Sequence, residues 1–283
     1  MTRVLRNLLF SLLLAVLVLG GLEVAVRVSG WPDPGLYDGD LASVWTLRAG
    51  LPARDVPFPE RGTTFSVRTN SAGYRGAEPL PGAILCLGDS TTFGWGVDEE
   101  QAWPAELAAQ LVTPTINGGV PGYSTVQGLA TLDRALALRP RVVVLAYLVR
   151  DAERASAPDA ERPPSRPVPP LALLRAVRTL RGSKPPLPGD VWRVSPSDYV
   201  ANLRTLVTRV RDAGAEAWVL AFPMRTPAAE HLAALQALSD IQIVAPTLPP
   251  DAFFAEDPIH LTPAGNVLVA EAMAAALRPG GAP

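Results

Sequence analysis

From residue 83 onward, short and fully apolar segments alternate with longer segments in which apolar residues recur every three or four positions. The runs over 83–87 and 142–147 are typical of strands that are buried on both faces. Between them, leucines recur along one side of a helix predicted over 125–138. Strands and helices that alternate in this way predict a parallel sheet covered by helices on both faces, a three-layer α/β/α architecture.

The same pattern predicts the remaining elements of the domain. Further strands are expected at 63–69, 114–117, 217–222 and 241–245, and further helices at 103–111, 198–213, 227–239 and 263–277. Thr262 is the expected N-cap of the last helix, with Pro263 in its first turn. In parallel sheets ligands bind beyond the carboxyl ends of the strands, so the chemistry is expected in the loops that follow the strands.

The N-terminal segment predicts targeting to a membrane. Arg3 and Arg6 precede an uncharged run over 8–22, and the apolar stretch over 8–26 contains one charge, Glu23, where the segment would reach the far interface. The two arginines favour a cytoplasmic N-terminus and an extracytoplasmic remainder, periplasmic or at the cell surface. An uncleaved signal anchor and a cleaved signal peptide both fit, and the anchor is preferred because no small-x-small cleavage site stands out.

The composition along the chain divides it into three parts. We expect a signal anchor with its cytoplasmic tip at 1–30, an extracytoplasmic linker and lead-in at 31–80, and the α/β domain at 81–279. The linker is rich in turn-forming residues. Within the domain, residues 152–196 interrupt the alternation with ten prolines and predict a surface insertion that acts as a lid or a membrane-facing element.

Charge and rare residue types exclude several classes of protein. A net charge of −2 offers no basic surface to a phosphate backbone, so no nucleic-acid partner is expected. The single cysteine, Cys86, excludes an internal disulfide and a CxxC redox pair. No P-loop or GxGxxG motif is present, and we expect no cofactor and no metal. Of the two histidines, His231 lies among helix leucines without a matching acid and is predicted to be structural.

Three loops at predicted strand ends carry groups suited to acyl chemistry. A Gly-Asp-Ser turn can present the hydroxyl of Ser90 at the sheet edge, although such turns are also common without a function. Gly122, just before a helix, can offer its N–H to a developing oxyanion or can serve only as a turn residue. Asp257 and His260 are spaced to share a hydrogen bond that fixes the tautomer of the imidazole, or merely to cap their loop.

Taken in order, these loops resemble the sequence blocks of the SGNH (GDSL-type) hydrolase family. The matching segments are LCLGDSTTFGWG, INGGVPGYSTVQG and DPIHLTPAG. The likeness covers residues 83–278 apart from the insertion, and the anchor together with VRTNSAGYRG resembles membrane-tethered members. The resemblance implies an SGNH fold, which is flavodoxin-like, and esterase-type acyl transfer.

The same resemblance implies a role for each site residue. Ser90 is expected to be the nucleophile and His260 the general base and then acid. Asp257 is expected to orient His260. The backbone N–H groups of Ser90 and Gly122 are expected to hold the oxyanion.

One family block departs from the pattern. Where the family has G-x-N-D, this chain has Leu148-Val149-Arg150-Asp151, so Arg150 stands at the position of the asparagine that donates to the oxyanion. Arg150 is a candidate replacement for that donor or a clamp for an anionic substrate. It could also turn away to pair with Asp151, or mark an enzyme of reduced activity.

The sequence thus favours a membrane-anchored serine hydrolase that removes a short acyl group, acetyl above all, from an ester on an envelope glycan or lipid. An O-acyltransferase that uses the same site is one alternative, because both kinds of enzyme share the acyl-enzyme intermediate. A non-catalytic envelope-binding domain is the other, for which Arg150 is the main argument. The sequence leaves open the acyl length, the acceptor and the oligomeric state.

Overall fold

The computed structural model describes residues 3–33, 35–165, 167–181, 189–225 and 228–278. The expected start of one helix at 227, the end of the domain at 279, part of the insertion at 182–188 and the first two residues of the anchor lie outside the described residues. In chain order the helices are α1 (Arg3–Ser29), α2 (Ser90–Phe93), α3 (Trp103–Leu111), α4 (Thr125–Leu136), α5 (Ala172–Arg181), α6 (Pro196–Asp212), α7 (Ala229–Gln236) and α8 (Pro263–Leu277).

The strands form one central sheet and three small pairs. They are β1 (Tyr37–Asp40), β2 (Val44–Leu47), β3 (Arg54–Phe58), β4 (Thr63–Val67), β5 (Ile84–Gly88), β6 (Thr115–Gly119), β7 (Val142–Ala146), β8 (Arg154–Ala155), β9 (Val191–Trp192), β10 (Glu216–Leu220) and β11 (Gln242–Val244). The central sheet has the order β6-β5-β7-β10-β11, and each neighbouring pair is parallel. Numbered within the sheet this is the order 2-1-3-4-5 of flavodoxin-like folds, as predicted.

Helices cover both faces of this sheet. Every residue of β5 and β7 is buried, which explains why these strands are apolar throughout. Ile84 and Cys86 of β5 point to the layer formed by α3 and α8. Leu85 and Leu87, which alternate with them, point to the layer that includes α4 and α6. The three-layer α/β/α fold predicted from the sequence is therefore confirmed.

The sequence predicts a linker and lead-in at residues 31–80, and in the structure this segment packs against the α/β domain. It forms two antiparallel hairpins, β1–β2 and β3–β4, and its apolar side chains join the core on one face of the sheet. Arg75 fastens this segment to the loop after α2, because its buried guanidinium donates to the carbonyls of Phe93, Gly94 and Val97 at 2.6–2.8 Å. The strand expected at 63–69 is present as β4, whereas turn-forming residues concealed β1, β2 and β3 in the sequence.

The proline-rich insertion leaves the sheet at the end of β7 and returns at the start of α6. Both points lie at the carboxyl edge of the parallel sheet, so the insertion begins and ends beside the edge at which chemistry is expected. It contains the small pair β8–β9 and the amphipathic helix α5. The carboxylate of Glu23 in α1 accepts hydrogen bonds from the N–H groups of Ala172 and Leu173 at 2.9 and 2.8 Å, which joins α5 to α1.

Helix α1 is long and apolar enough to cross a membrane. It has 27 residues, a mean hydropathy of 2.5 in its most apolar window, and none of that window is buried. An N-terminal signal sequence has the same length and composition.

Candidate active site

Ser90 lies directly beyond the carboxyl end of the central strand β5. Gly88 ends that strand and must lack a side chain, because a Cβ there would lie 2.2 Å from the hydroxyl of Thr92 and 2.7 Å from the carbonyl of Ala146. Asp89 caps the short helix α2, since its Oδ1 accepts from the N–H and the hydroxyl of Thr91 at 2.8 and 2.7 Å. These contacts hold the Ser90 hydroxyl at the sheet edge.

The loop before α8 brings His260 and Asp257 to the same place. His260 Nε2 lies 2.8 Å from Ser90 Oγ, and His260 Nδ1 lies 2.5 Å from Asp257 Oδ2. The other carboxylate oxygen, Oδ1, accepts from the N–H groups of Ile259 and His260 at 2.8 and 3.0 Å. A carboxylate at Nδ1 holds the ring proton there and leaves the lone pair of Nε2 facing the serine hydroxyl.

Asp257 is held in its ionised form. Burial raises its pKa, but the hydrogen bond and charge of His260, together with the two backbone N–H groups, lower the pKa of Asp257 to about 2. The carboxylate of Asp257 is therefore charged at neutral and mildly acidic pH. A permanent charge at this position favours an imidazole that becomes positive when it accepts a proton.

Gly122 lies in the loop that follows β6 and takes a backbone conformation with φ of 88°, which favours glycine. This loop approaches the Ser90 turn closely, as the N–H of Val120 donates to the carbonyl of Gly88 at 3.0 Å. Within the described part of the chain, the N–H groups of Ser90 and Gly122 donate to no acceptor. Two free N–H groups on neighbouring loops beside a serine are suited to an oxyanion.

Arg150 does not pair with Asp151. Its Nη1 donates to the carboxylate of Glu153 over a long 3.3 Å contact. Asp151 is instead buried and accepts from the N–H and hydroxyl of Thr125, and burial raises its pKa to about 7. Within the described part of the chain Nη2 of Arg150 has no hydrogen-bond acceptor, so this nitrogen remains available to a bound molecule.

Two clefts meet at Arg150 and Glu153. One, of about 380 Å³, is bordered by Pro258 and Ile259, next to Asp257 and His260 in the chain; its other walls include Val149, Trp192 and Met224. The second, of about 640 Å³, is lined by Gly122 and by several arginines of the insertion. Both clefts are large enough to hold part of a small organic substrate.

His231 lies apart from these groups, in the core. Its Nε2 is 2.9 Å from the carbonyl of Val194, and its ring packs edge-on against Trp192 and Tyr199. This surrounding agrees with the structural role predicted from the sequence. No metal-binding cluster of three or more His, Cys, Asp or Glu side chains occurs among the described residues.

Two residues that border the site were not singled out by sequence reasoning. Trp45, from the segment read as a linker, donates its indole N–H to the carbonyl of Pro121 at 3.1 Å. Arg193, from the insertion, donates to the carbonyl of Gly122 at 2.6 Å. No motif marks either residue, because both act on a loop more than 70 positions away in the sequence.

The hydrogen-bonded row of Ser90, His260 and Asp257 at the carboxyl edge of a parallel sheet has the geometry that nucleophilic acyl chemistry requires. The sequence profile of the GDSL-like lipase/acylhydrolase family matches residues 86–268, and the chain belongs to this family. It is an ester hydrolase of the GDSL type. The profile spans the Ser90 turn, the Gly122 loop and the Asp257–His260 loop, and it leaves out α1 and the two N-terminal hairpins.

Solved structures share the fold at low sequence identity. TesA is 20% identical with a TM-score of 0.50, over 70% of this chain and 98% of that one. The acetyl xylan esterase AlAXEase is 14% identical with a TM-score of 0.48, over 69% and 100% of the chains. The psychrotrophic esterase EstA from Pseudoalteromonas sp. is 16% identical with a TM-score of 0.46, over 68% and 94%. No curated protein sequence matches the chain.

Proposed function

We propose that the protein cleaves a short-chain ester through a Ser90–His260–Asp257 triad. The observation that carries this proposal is the row of hydrogen bonds from Asp257 through His260 to the hydroxyl of Ser90. His260 Nε2 takes the hydroxyl proton while Ser90 Oγ attacks the ester carbonyl. The same proton then passes to the leaving alcohol as the C–O bond breaks, which leaves an acyl group on Ser90.

Water completes the reaction by the reverse sequence of proton transfers. His260 accepts a proton from the water that attacks the acyl-enzyme, and returns it to Ser90 Oγ as the carboxylic acid leaves. In both steps the carbonyl oxygen becomes negative, and the N–H groups of Ser90 and Gly122 would donate to it. Two preorganised donors of this kind stabilise the developing charge without further rearrangement.

The cleft beside His260 supports a polar alcohol as the leaving group. The aromatic ring of Trp192 forms part of the cleft wall. Arg150 provides hydrogen-bond donors and Glu153 provides acceptors. Most of the other lining side chains are apolar, so the cleft can pack against one face of a sugar ring while Arg150 and Glu153 bind its hydroxyl groups. We therefore assign the cleft to the sugar of an acylated envelope glycan, with Arg150 as a group that binds the substrate.

A panel of esters tests the reaction and the assignment together. The purified chain should hydrolyse p-nitrophenyl acetate faster than the octanoate, and Ser90→Ala should abolish both activities. Undiminished hydrolysis by Ser90→Ala would overturn the triad, and faster hydrolysis of the octanoate would overturn the short-chain substrate. Arg150→Ala should lower kcat/KM for an acetylated oligosaccharide about tenfold, with a smaller effect on nitrophenyl acetate.

We also propose that α1 is an uncleaved anchor that keeps the domain outside the cytoplasmic membrane. Arg3 and Arg6 precede the apolar stretch, which supports a cytoplasmic N-terminus and an extracytoplasmic domain. The hydrogen bonds of Glu23 to α5 support retention, because they give the helix a partner in the domain. The intact mass of the protein from washed membranes should include residues 1–30; a mass without them would indicate a cleaved signal peptide.

A further inference from the structure

We propose that Trp45 and Arg193 are positioning residues that hold the Gly122 N–H in place for the oxyanion. The proposal rests on the proposed function, in which Gly122 is one of two backbone donors. Both residues lie outside the central sheet, Trp45 in the β1–β2 hairpin and Arg193 just after β9 in the insertion. They bind the peptide groups on the two sides of Gly122.

Trp45 binds the peptide group to which the Gly122 N–H belongs. The carbonyl of Pro121 and the N–H of Gly122 are the two ends of one planar amide. Trp45 Nε1 donates to this carbonyl at 3.1 Å, which fixes the rotation of the amide and polarises its N–H. The indole also lies against the glycine itself, since a Cβ on Gly122 would be 3.0 Å from Cζ2 of Trp45.

Trp45 is itself held firmly. Its backbone carbonyl accepts from the hydroxyl of Tyr123 at 2.6 Å and from that of Ser43 at 2.8 Å. The rings of Trp45 and Tyr123 meet edge-on with their centroids 5.7 Å apart. The preceding residue, Val44, has φ of 72°, a strained value for a β-branched residue. Such strain persists only where the surrounding contacts over-determine it, as the hydrogen bonds of this hairpin do.

Arg193 binds the peptide group on the other side of Gly122. Its Nη2 donates to the carbonyl of Gly122 at 2.6 Å, while Nε and Nη2 donate to the carboxylate of Asp159 at 3.0 and 2.7 Å. Asp159 is fully buried and accepts from the hydroxyl of Ser124 at 2.8 Å. Burial raises the pKa of Asp159, but Arg193 lowers it below its ordinary value, so the pair stays charged.

These contacts give the hairpin and the insertion a shared role. The backbone of a glycine such as Gly122 can adopt more conformations than that of any other residue type. An N–H group that rotates away from the oxyanion contributes nothing to catalysis. Bonds to the carbonyls of Pro121 and Gly122 remove that freedom without adding a side chain to the site. The insertion therefore acts on this loop as a brace rather than as a lid.

Two conservative variants test the proposal. Trp45→Phe keeps an aromatic ring and removes the indole N–H, and Arg193→Lys keeps the charge beside Asp159 but loses the fork that reaches Gly122. Each should lower kcat about tenfold, a fraction of the 10²–10³ lost when an oxyanion donor is removed. KM should stay within about twofold, because a better-oriented oxyanion donor matters in the transition state.

Matched variants away from the site separate positioning from general destabilisation. Trp218→Phe removes the hydrogen bond of 2.8 Å from the indole N–H to the Glu216 carboxylate, and Arg68→Lys removes the two hydrogen bonds from the guanidinium to Glu99. Because neither bond reaches the Gly122 loop, both variants should keep wild-type kcat. The rates are divided by the concentration of active sites, which is titrated with a fluorophosphonate. Unfolded protein therefore does not lower the measured kcat. Unchanged kcat in both test variants of an active enzyme, or raised KM alone, would overturn the proposal. An inactive wild type would instead overturn the proposed function.

A separate observation concerns α5, and we propose that its exposed side rests on an anionic lipid surface. Three apolar residues of the helix are 39–76% exposed: Leu174, Val177 and Leu180. Helix α5 also contains three arginines and no acidic residue. An amphipathic helix with a cationic polar side matches the interface of a membrane that carries negative lipids.

Continuity with α1 selects the membrane as the occupant of this surface. Glu23 caps the first turn of α5, and Arg27 donates to the carbonyl of Pro170 at 3.2 Å, so α5 begins where α1 would leave the bilayer. Because the insertion starts and ends at the carboxyl edge of the sheet, this contact would hold the edge that carries Ser90 close to the membrane surface.

An environment-sensitive fluorophore on the full chain tests this contact. Leu174→Cys provides a single reactive thiol, because Cys86 is buried and burial raises the pKa of its thiol. In vesicles of phosphatidylglycerol the label should show blue-shifted emission. The matched label at Val112→Cys, 91% exposed and ahead of β6 at the opposite edge, should not. Equal, water-like emission at both positions would overturn the proposal; an equal shift in phosphatidylcholine would overturn the choice of anionic lipid.

Discussion

The two histidines of this chain are both buried, yet their surroundings give them different chemistry. His260 has a carboxylate at Nδ1 and a serine hydroxyl at Nε2. His231 has the carbonyl of Val194 at Nε2, and its Nδ1 is buried without a partner among the described residues. A carbonyl only accepts, so Nε2 of His231 must carry the proton that His260 holds on the opposite nitrogen. The partner of each ring thus decides which nitrogen is free to act as a base.

Two carboxyl groups of the domain also differ in their surroundings. Asp257 receives the His260 ring and two backbone N–H groups, which hold its pKa at about 2 despite burial. Asp151 is linked to the His231 region through Val194, whose N–H donates to the carbonyl of Asp151 and whose own carbonyl contacts His231. Burial raises the pKa of Asp151 to about 7, so this carboxyl is a poor partner for a positive imidazole. The hydrogen-bond partners of a buried carboxyl group thus decide whether its pKa is lowered or raised.

The largest expected effect is on turnover when the His260 ring is removed. His260→Ala should lower kcat for nitrophenyl acetate by about 10⁴-fold or more, because among the described residues no other base lies within hydrogen-bond distance of the Ser90 hydroxyl. Steady-state kinetics on the purified chain measure this. A loss below tenfold would mean that the two histidines do not differ in the way described.

Asp257→Asn is expected to have the next largest effect. The amide keeps the shape but can hold the imidazole in the wrong tautomer, so kcat should fall by about 10³–10⁴-fold. Because the pKa of Asp257 is about 2, the acid limb of the wild-type kcat/KM profile should not come from this carboxyl. A variant with wild-type kcat between pH 5 and pH 9 would contradict the assigned role.

His231→Phe should affect stability and leave turnover within about twofold. The ring shape is retained between Trp192 and Tyr199, but the carbonyl of Val194 loses its donor. Leaving that buried acceptor unpaired should cost about 1–3 kcal/mol of unfolding free energy. Denaturant unfolding and kinetics on the same sample measure both quantities. A large loss of kcat with unchanged stability would contradict the structural role of His231 and its contrast with His260.

The last expected effect, which leaves turnover aside, is a change in the pH dependence of stability. For Asp151 the folded pKa of about 7 lies above the ordinary 3.8, so the folded state binds the extra proton and stability falls as pH rises from about 4 to about 7. Asp151→Asn removes this titration. The difference in thermal midpoint between variant and wild type should therefore grow over that range and then level off; a constant difference would contradict the raised pKa.

Local sequence patterns were sufficient for the architecture and for the groups at the strand ends. A strand buried on both faces must be apolar throughout, which is why 83–87 and 142–147 located β5 and β7. The spacing of Asp257 and His260 lies within one loop, so it was visible in the sequence. Trp45 and Arg193 were not, because they act on the Gly122 loop from 76 and 71 positions away and no local pattern marks the contact.

Fluorophosphonate labelling tests most directly whether His260 activates Ser90. The probe reacts with an activated serine hydroxyl and leaves an adduct whose position mass spectrometry can assign. In the wild-type chain we expect one adduct, on Ser90, with labelling lost in Ser90→Ala and in His260→Ala but retained in His231→Phe. Labelling of Ser90 at the wild-type rate in His260→Ala, or no labelling of a folded wild-type chain, would contradict the account.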